Sequence, residues 1–300
     1  MPQHYLPQHT TLRSGLFMVL AMVSFVLNDT MVKLVGTSLP TGEMIAIRGF
    51  IAAVFIAAIC ASRGVLFSLP QLRSRSVLAR ASLDLIATIL FITALMHMHI
   101  ANLTAVMQAV PLAVACLSVV FLGEKVGWRR STAIVLGFIG VLLIVKPAPG
   151  SLTRYDLFAL LIVIAVALRD IVTRHIPLRV PTLIIALANA AFVTAGGVVL
   201  ALFQDFVMPQ AWQFAYLGAA AIFLGTGYMF MVATLRLGDL SATAPFRYSI
   251  MLFAIISGVL VFGEYPDWLA SAGMVLIVAT GLYAAHREAR IKDISGMPAQ

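Results

Sequence analysis

The sequence predicts an all-α integral membrane protein, with ten transmembrane helices in two inverted-topology five-helix repeats. Three observations predict it: an extreme apolar composition, ten separate apolar runs, and a second half that echoes the first at a near-constant offset. Of the 300 residues, 61% are apolar and 11% charged, and the mean hydropathy is +1.01. Soluble domains run nearer half apolar and a quarter charged. A membrane-spanning helix takes about 20 residues, so ten would use about 200 and leave room for termini and short loops only. That composition excludes the secreted, nuclear and fibrous classes.

The apolar runs fall at about 13–35, 42–62, 78–97, 101–122, 131–146, 156–175, 182–203, 212–234, 241–262 and 268–285. The first follows a polar Met1–Thr10 and continues past Asn28 and Asp29, too long for a signal-peptide core and without a small-residue cleavage site. It reads as a retained span. The other nine are bounded by clusters of charge, proline and glycine. Only helices or closed barrels satisfy the backbone in lipid, and no ten-residue alternating pattern suggests a barrel.

Charge sets the sidedness. With the N-terminus in the cytoplasm, inside segments hold fourteen basic residues: Arg13, Arg63, Arg73, Arg75, Arg80, Lys125, Arg129, Arg130, Arg174, Arg179, Arg236, Arg287, Arg290 and Lys292. Outside segments hold three, Lys33, Lys146 and Arg154, while Arg48, Arg169 and Arg247 lie within spans. Such a bias places both termini in the cytoplasm. It also makes the pI of 9.9 an orientation signal, with no nucleic-acid partner implied.

At an offset of 141, Phe17 meets Phe158, Asp29 meets Asp170, Lys33 meets Arg174, Pro40 meets Pro181 and Thr41 meets Thr182. Near the end of each half the offset is 140, pairing Gly123-Glu124 with Gly263-Glu264 and Trp128 with Trp268. Five helices is an odd number, so the second copy enters the bilayer upside down. Inverted repeats of this kind place a substrate site near the midplane, between the copies.

The segments Phe121-Leu-Gly-Glu-Lys-Val-Gly-Trp-Arg-Arg130 and Gly137-Phe-Ile-Gly-Val-Leu-Leu-Ile-Val-Lys-Pro147 resemble the end of a first EamA domain of the drug/metabolite transporter superfamily. Ala244-Pro-Phe-Arg-Tyr-Ser249, Phe262-Gly-Glu-Tyr-Pro-Asp267 and Gly281-Leu-Tyr-Ala-Ala-His-Arg-Glu288 are similar to the corresponding end of a second. The resemblance implies repeats over 12–147 and 153–288, a cytoplasmic tail over 289–300, and a ten-helix carrier in a bacterial inner membrane. Relatives with an Ala-Pro-Phe-acidic-Tyr motif here carry an acid where this chain has Arg247.

Ionisable side chains within spans are costly unless paired or hydrated, which makes each a functional candidate. Asp29 and Lys33 are four apart on one helix face, and Asp170 and Arg174 repeat that spacing, which suits intrahelical ion pairs. In inverted copies the two pairs face opposite surfaces, as gates would; helix-end caps that snorkel are the other reading. Arg169 adjoins the second pair, and Asn28 is its repeat equivalent. Arg48 aligns with Asn189, whereas Asp84 has no repeat partner. Arg247, next to Tyr248 and just after Pro245, is expected either to line the substrate path or to hold helices together through an ion pair with an Asp. Gln108 either lines the cavity or bonds a neighbouring helix. Glu124 and Glu264, at span ends, are expected as solvated caps, and Gly225-Thr-Gly227 as close helix packing.

No metal-ligand cluster, Walker motif, H-E-x-x-H or G-x-S-x-G pattern occurs, so neither a cofactor nor an ATP-driven step is expected. Cys60 and Cys116 read as small hydrophobes. The expectation is a secondary carrier, not an enzyme, for a small polar metabolite. An apparent excess of buried Arg favours a neutral or anionic one, such as a riboflavin-like heterocycle. The alternatives are an exporter of S-adenosylmethionine, an amino acid or a toxic compound, and an intramembrane enzyme. A coupling proton or ion, membrane lipid and a homodimer are the further partners the sequence admits.

Overall fold

In the computed structural model, residues 8–64, 74–122, 128–146, 153–177, 180–237 and 240–295 are described, and every structural statement below refers to these. The elements in order are α1 (Gln8–Val35), α2 (Thr41–Ser62), α3 (Arg75–His97), α4 (Ile100–Met107), α5 (Val110–Leu122), α6 (Trp128–Val145), α7 (Arg154–Arg174), α8 (Thr182–Ala201), α9 (Ala211–Leu237), α10 (Leu240–Arg247), α11 (Ser249–Ser257) and α12 (Trp268–Ser295). A π-helical turn, Gly258–Phe262, extends α11. Seven segments are long and apolar enough to cross a membrane, and Ser131–Val145 and Trp268–Tyr283 are shorter apolar helices. With α7, which carries Arg169, Asp170 and Arg174 in its last turns, they make ten membrane segments.

Two of the ten are interrupted. The fourth breaks between α4 and α5 at Gln108, whose N–H turns back to the Ala105 carbonyl at 3.1 Å. The ninth breaks between α10 and α11 at Tyr248, whose N–H meets the Pro245 carbonyl at 3.2 Å. Gln108 and Tyr248 stand 140 apart, the repeat offset itself. Prolines explain part of this: Pro245 lies inside α10 and Pro111 in the first turn of α5, and neither has an N–H to continue the ladder. Elsewhere helix ends carry ordinary signals. Pro40 and Pro181, repeat equivalents, precede α2 and α8 in extended conformation, and Thr153 and Asp156 form a capping box at α7.

Exchanging the two copies maps α1 on α7, α2 on α8, α3 on α9, α4–α5 on α10–α11 and α6 on α12. The main packing obeys that exchange. The α1–α9 pair has its counterpart in α3–α7, while α2–α8 and α6–α12 map onto themselves. Small residues allow the self-mapping pairs to close. A Cβ on Gly197 would lie 2.5 Å from the Ala46 nitrogen, and one on Gly273 would lie 2.5 Å from the Gly140 oxygen, so backbones touch directly. The largest apolar cluster, including Ile45, Leu95, Leu103 and Ile162, spans both halves.

Candidate functional site

The polar residues of the membrane interior gather into two groups, one between α1 and α2 and one between α3 and α7, and a tie at one end of the bundle. In the first group Asn28, buried on α1, donates its amide to Asp29 Oδ1 at 2.8 Å. Its amide oxygen accepts from Arg48 Nη1 of α2 at 3.2 Å. Arg48 thus meets one neutral acceptor, with Asp29 in electrostatic reach. A guanidinium has five donors, and this one is far from satisfied.

The expected Asp29–Lys33 ion pair does not form. Lys33, one turn further along α1, reaches instead to Glu264 Oε1 at 2.5 Å and the Met98 carbonyl at 2.7 Å, over the face of Phe262. Glu264 Oε2 accepts the Ile100 N–H at 2.9 Å, the first of α4. Glu264 is therefore a part-buried clasp joining α1, α4 and the segment after α11, not the solvated cap that its span-end position suggested. An ammonium at 7% exposure needs more acceptors than one residue on its own helix supplies, which is why the long Lys stem reaches across. Glu124, the repeat equivalent of Glu264, lies outside the described residues.

In the second group Arg169 of α7 bridges two acids. Its Nη1 donates to Asp84 of α3 at 2.7 Å, and its Nε and Nη2 to Asp170 Oδ1 at 3.0 and 2.9 Å. Asp170 is thus engaged by its sequence neighbour rather than by Arg174, which is exposed at the end of α7. Arg80, expected in a loop, lies within α3 and donates Nε to Thr173 at 2.9 Å. Asn189, the repeat equivalent of Arg48, has a buried Oδ1 with no partner. The excess of buried Arg disappears: Arg48, Arg80 and Arg169 are balanced by Asp29, Asp84 and Asp170.

Tyr228 of α9 joins the groups. It lies within the electrostatic field of Asp84, Arg169, Arg80 and Arg48, and its ring meets Phe25 edge-on at 5.3 Å. It keeps 54% of its surface accessible, and the Asp84 and Arg169 side chains keep 20% and 21%. These groups form one electrostatic cluster among α1, α2, α3, α7 and α9. Sequence reading passed over Tyr228 and Arg80. The signal for Tyr228 was a lone phenol directly after Gly225-Thr-Gly227, where Gly227 packs on Phe25.

Arg247 and Tyr248 stand at the break of the ninth segment, and Arg247 is not among the charges acting on Tyr228. Arg247 is exposed, and the Tyr248 hydroxyl turns to Gly281 of α12, where a Cβ would lie 1.7 Å from it. Gln108 is buried at the equivalent break. At the same end as Lys33, but outside the spans, Lys146 pairs with Asp267. That ammonium, helped by the Ala270 N–H at the start of α12, holds the Asp267 carboxyl below its ordinary 3.8.

Residues 12–146 and 153–283 each match the EamA-like transporter family. The chain is 26% identical to an S-adenosylmethionine uptake transporter of Rickettsia prowazekii over 282 residues, covering 93% of this chain and 94% of that one. It is 28% identical to a pseudopaline exporter of Pseudomonas aeruginosa over 273 residues, 89% of this chain and 94% of that. A riboflavin transporter of Brucella anthropi is 26% identical over 206 residues, 66% of this chain and 72% of that. A solved structure with 19% identity covers 94% of this chain and 99% of its own at a TM-score of 0.65, sharing the fold. With both repeats matched and nearly the whole length covered, the chain belongs to the EamA-like transporter family.

Proposed function

We propose that this multi-pass membrane protein is a secondary carrier that moves a small polar metabolite by alternating access, with Arg48 and Asn189 as substrate contacts. The observation that carries the proposal is the under-coordinated Arg48 in the membrane interior. A half-buried guanidinium with one neutral protein partner gains most from a carboxylate, which it grips through two parallel hydrogen bonds. Asn189 Oδ1, unpartnered on the opposite repeat, offers an acceptor for a substrate N–H.

S-adenosylmethionine fits that pair of demands: a carboxylate for Arg48, an ammonium for Asn189 and Asp29, and a flat base for Tyr228 and Phe25. The name of the Rickettsia relative supports this reading. A riboflavin-like heterocycle is the second reading, favoured by the Tyr228–Phe25 pair and by the name of the Brucella relative. Lys33 and Glu264 serve as the gate at one end, and Asp170, Arg169 and Arg174 belong to the other. The fourteen-to-three bias in basic residues supports a bacterial inner-membrane location with both termini cytoplasmic.

The test is flux of labelled S-adenosylmethionine and riboflavin in proteoliposomes, wild type against Arg48→Ala and Arg247→Ala. Saturable flux that falls at least tenfold in Arg48→Ala supports the assignment, tenfold being about 1.4 kcal/mol of lost binding. If Arg247→Ala loses flux while Arg48→Ala keeps it, the grip belongs to the ninth-segment break instead. Non-saturating flux would make the protein a channel.

A further inference from the structure

We infer that a groove beside α2 and α8, separate from the polar cluster, is a binding site for one phospholipid with a primary-ammonium headgroup, held by Glu43. The groove has a volume of about 600 Å³ and is lined by Glu43, Ile47, Val198, Leu202, Phe206 and Phe214. It exists because α2 and α8 cross on glycines. A Cβ on Gly42 would lie 2.4 Å from the Ala201 nitrogen, so the helices touch at their ends and the connection after α8 must arch over them. Glu43 Oε1 pins that arch by accepting the Val207 N–H at 2.9 Å.

The second oxygen is the reason to expect a ligand. Glu43 is 6% exposed, and its Oε2 has no hydrogen-bond partner although the residue faces the groove. A carboxylate left half-satisfied in an apolar surround is costly. A primary ammonium offers three N–H donors and the opposite charge. A trimethylammonium offers no N–H, and a glycerol headgroup brings an anionic phosphate without a cation. Gln204 spends its amide oxygen on the Gly42 N–H at 2.8 Å, which leaves its NH2 to donate to a headgroup phosphate.

Position and lining select a lipid over a soluble cation. Glu43 lies in the first turn of α2 and Val198–Ala201 in the last of α8, where headgroups meet the hydrocarbon core. Leu202, Phe206 and Met208 at the lip are 74–78% exposed, and Ile47 continues the apolar wall one turn deeper. Headgroup and acyl chain therefore each find a matching surface.

The experiment is native mass spectrometry of the full chain, purified from vesicles of equal parts phosphatidylethanolamine, phosphatidylglycerol and phosphatidylcholine. One phosphatidylethanolamine should remain bound after mild delipidation, enriched roughly tenfold over either competitor, as a charge-assisted hydrogen bond supplies. Glu43→Gln keeps an acceptor for the Val207 N–H but loses the charge, and enrichment should fall to within about twofold. Ile47→Trp fills the groove while leaving Glu43 in place, and should abolish retention of all three lipids. Equal retention of the three by wild type overturns the proposal, as does unchanged enrichment in Glu43→Gln. Should Glu43→Gln fail to fold, retention of phosphatidylethanolamine by Ile47→Trp at the wild-type level overturns it as well.

Discussion

The two polar groups of the interior occupy the same repeat positions but satisfy themselves differently. Positions 28 and 48 hold Asn and Arg, and their equivalents 169 and 189 hold Arg and Asn. In the first copy the arginine bonds the asparagine across α1 and α2. In the second, Asp84, which has no counterpart, draws Arg169 away through a 2.7 Å contact and leaves Asn189 Oδ1 without a partner. The repeat keeps polar groups at matched depths without keeping their partners. One extra carboxylate turns a symmetric frame into an asymmetric one, with Arg169 drawn into an ion cluster while Arg48 keeps one neutral partner and Asn189 Oδ1 none.

The sharpest way to break the comparison is to remove the extra carboxylate. Asp84→Ala should destabilise the protein by about 3 kcal/mol, the lower end for breaking a buried pair, read as a fall in detergent melting temperature. Adding Arg169→Met should restore part of the loss. Arg48→Met should instead cost about 1 kcal/mol of stability while suppressing flux at least tenfold. Equal stability losses at both sites would mean that the two groups are not different in kind.

A milder perturbation probes the tie at the Lys33 end. Glu264→Gln removes the charge that holds Lys33, while its amide oxygen still accepts the Ile100 N–H. In a chain lacking Cys60 and Cys116, a Thr37→Cys label should react about tenfold faster after this change. An unchanged rate would make the clasp structural only. For sidedness, cysteine at Ser151 should react with an impermeant reagent outside intact cells and cysteine at Gln71 should not.

The smallest effect belongs to Lys146–Asp267. Because folding depresses the Asp267 carboxyl, its contribution is present above the ordinary 3.8 and lost as pH falls through the lower folded value. The side chains are 36% and 49% exposed, so solvent screening holds the effect below about 0.5 kcal/mol. Lys146→Met should therefore melt close to wild type at pH 7, with the small difference vanishing once pH falls below the depressed folded value.

The membrane segments, the inverted repeat and the candidate charges were legible in the sequence because each leaves a local trace: a long apolar run, a fixed offset, a charge within a span. Partners leave no such trace. Lys33 and Glu264 are 231 residues apart, and the local i,i+4 neighbour looked the better match until burial demanded more acceptors. Asp84 and Arg169 are 85 apart and lie outside the repeat relation that paired the other residues. Pro245 flagged a missing backbone donor in the ninth segment, whereas at the fourth the interruption sits at Gln108, three residues before Pro111, whose missing N–H the sequence reading did not use. Tyr228 escaped notice because a phenol in an apolar run reads as packing until charges from other helices surround it.

The backbone contacts at Gly197–Ala46 and Gly140–Gly273 lie in α2–α8 and α6–α12, the two helix pairs that exchanging the copies maps onto themselves. The contacts themselves map to other residues, Ile56 with Leu187 and Ala133 with Thr280, so glycine closes each pair on one side of its axis only. Backbone lying on backbone offers no interlocking side chains, hence no rotamer barriers to turning about these points. A methyl group added at Gly197 or Gly273 meets backbone at 2.5 Å on that one side, so it forces the pair apart there and should lower the detergent melting temperature.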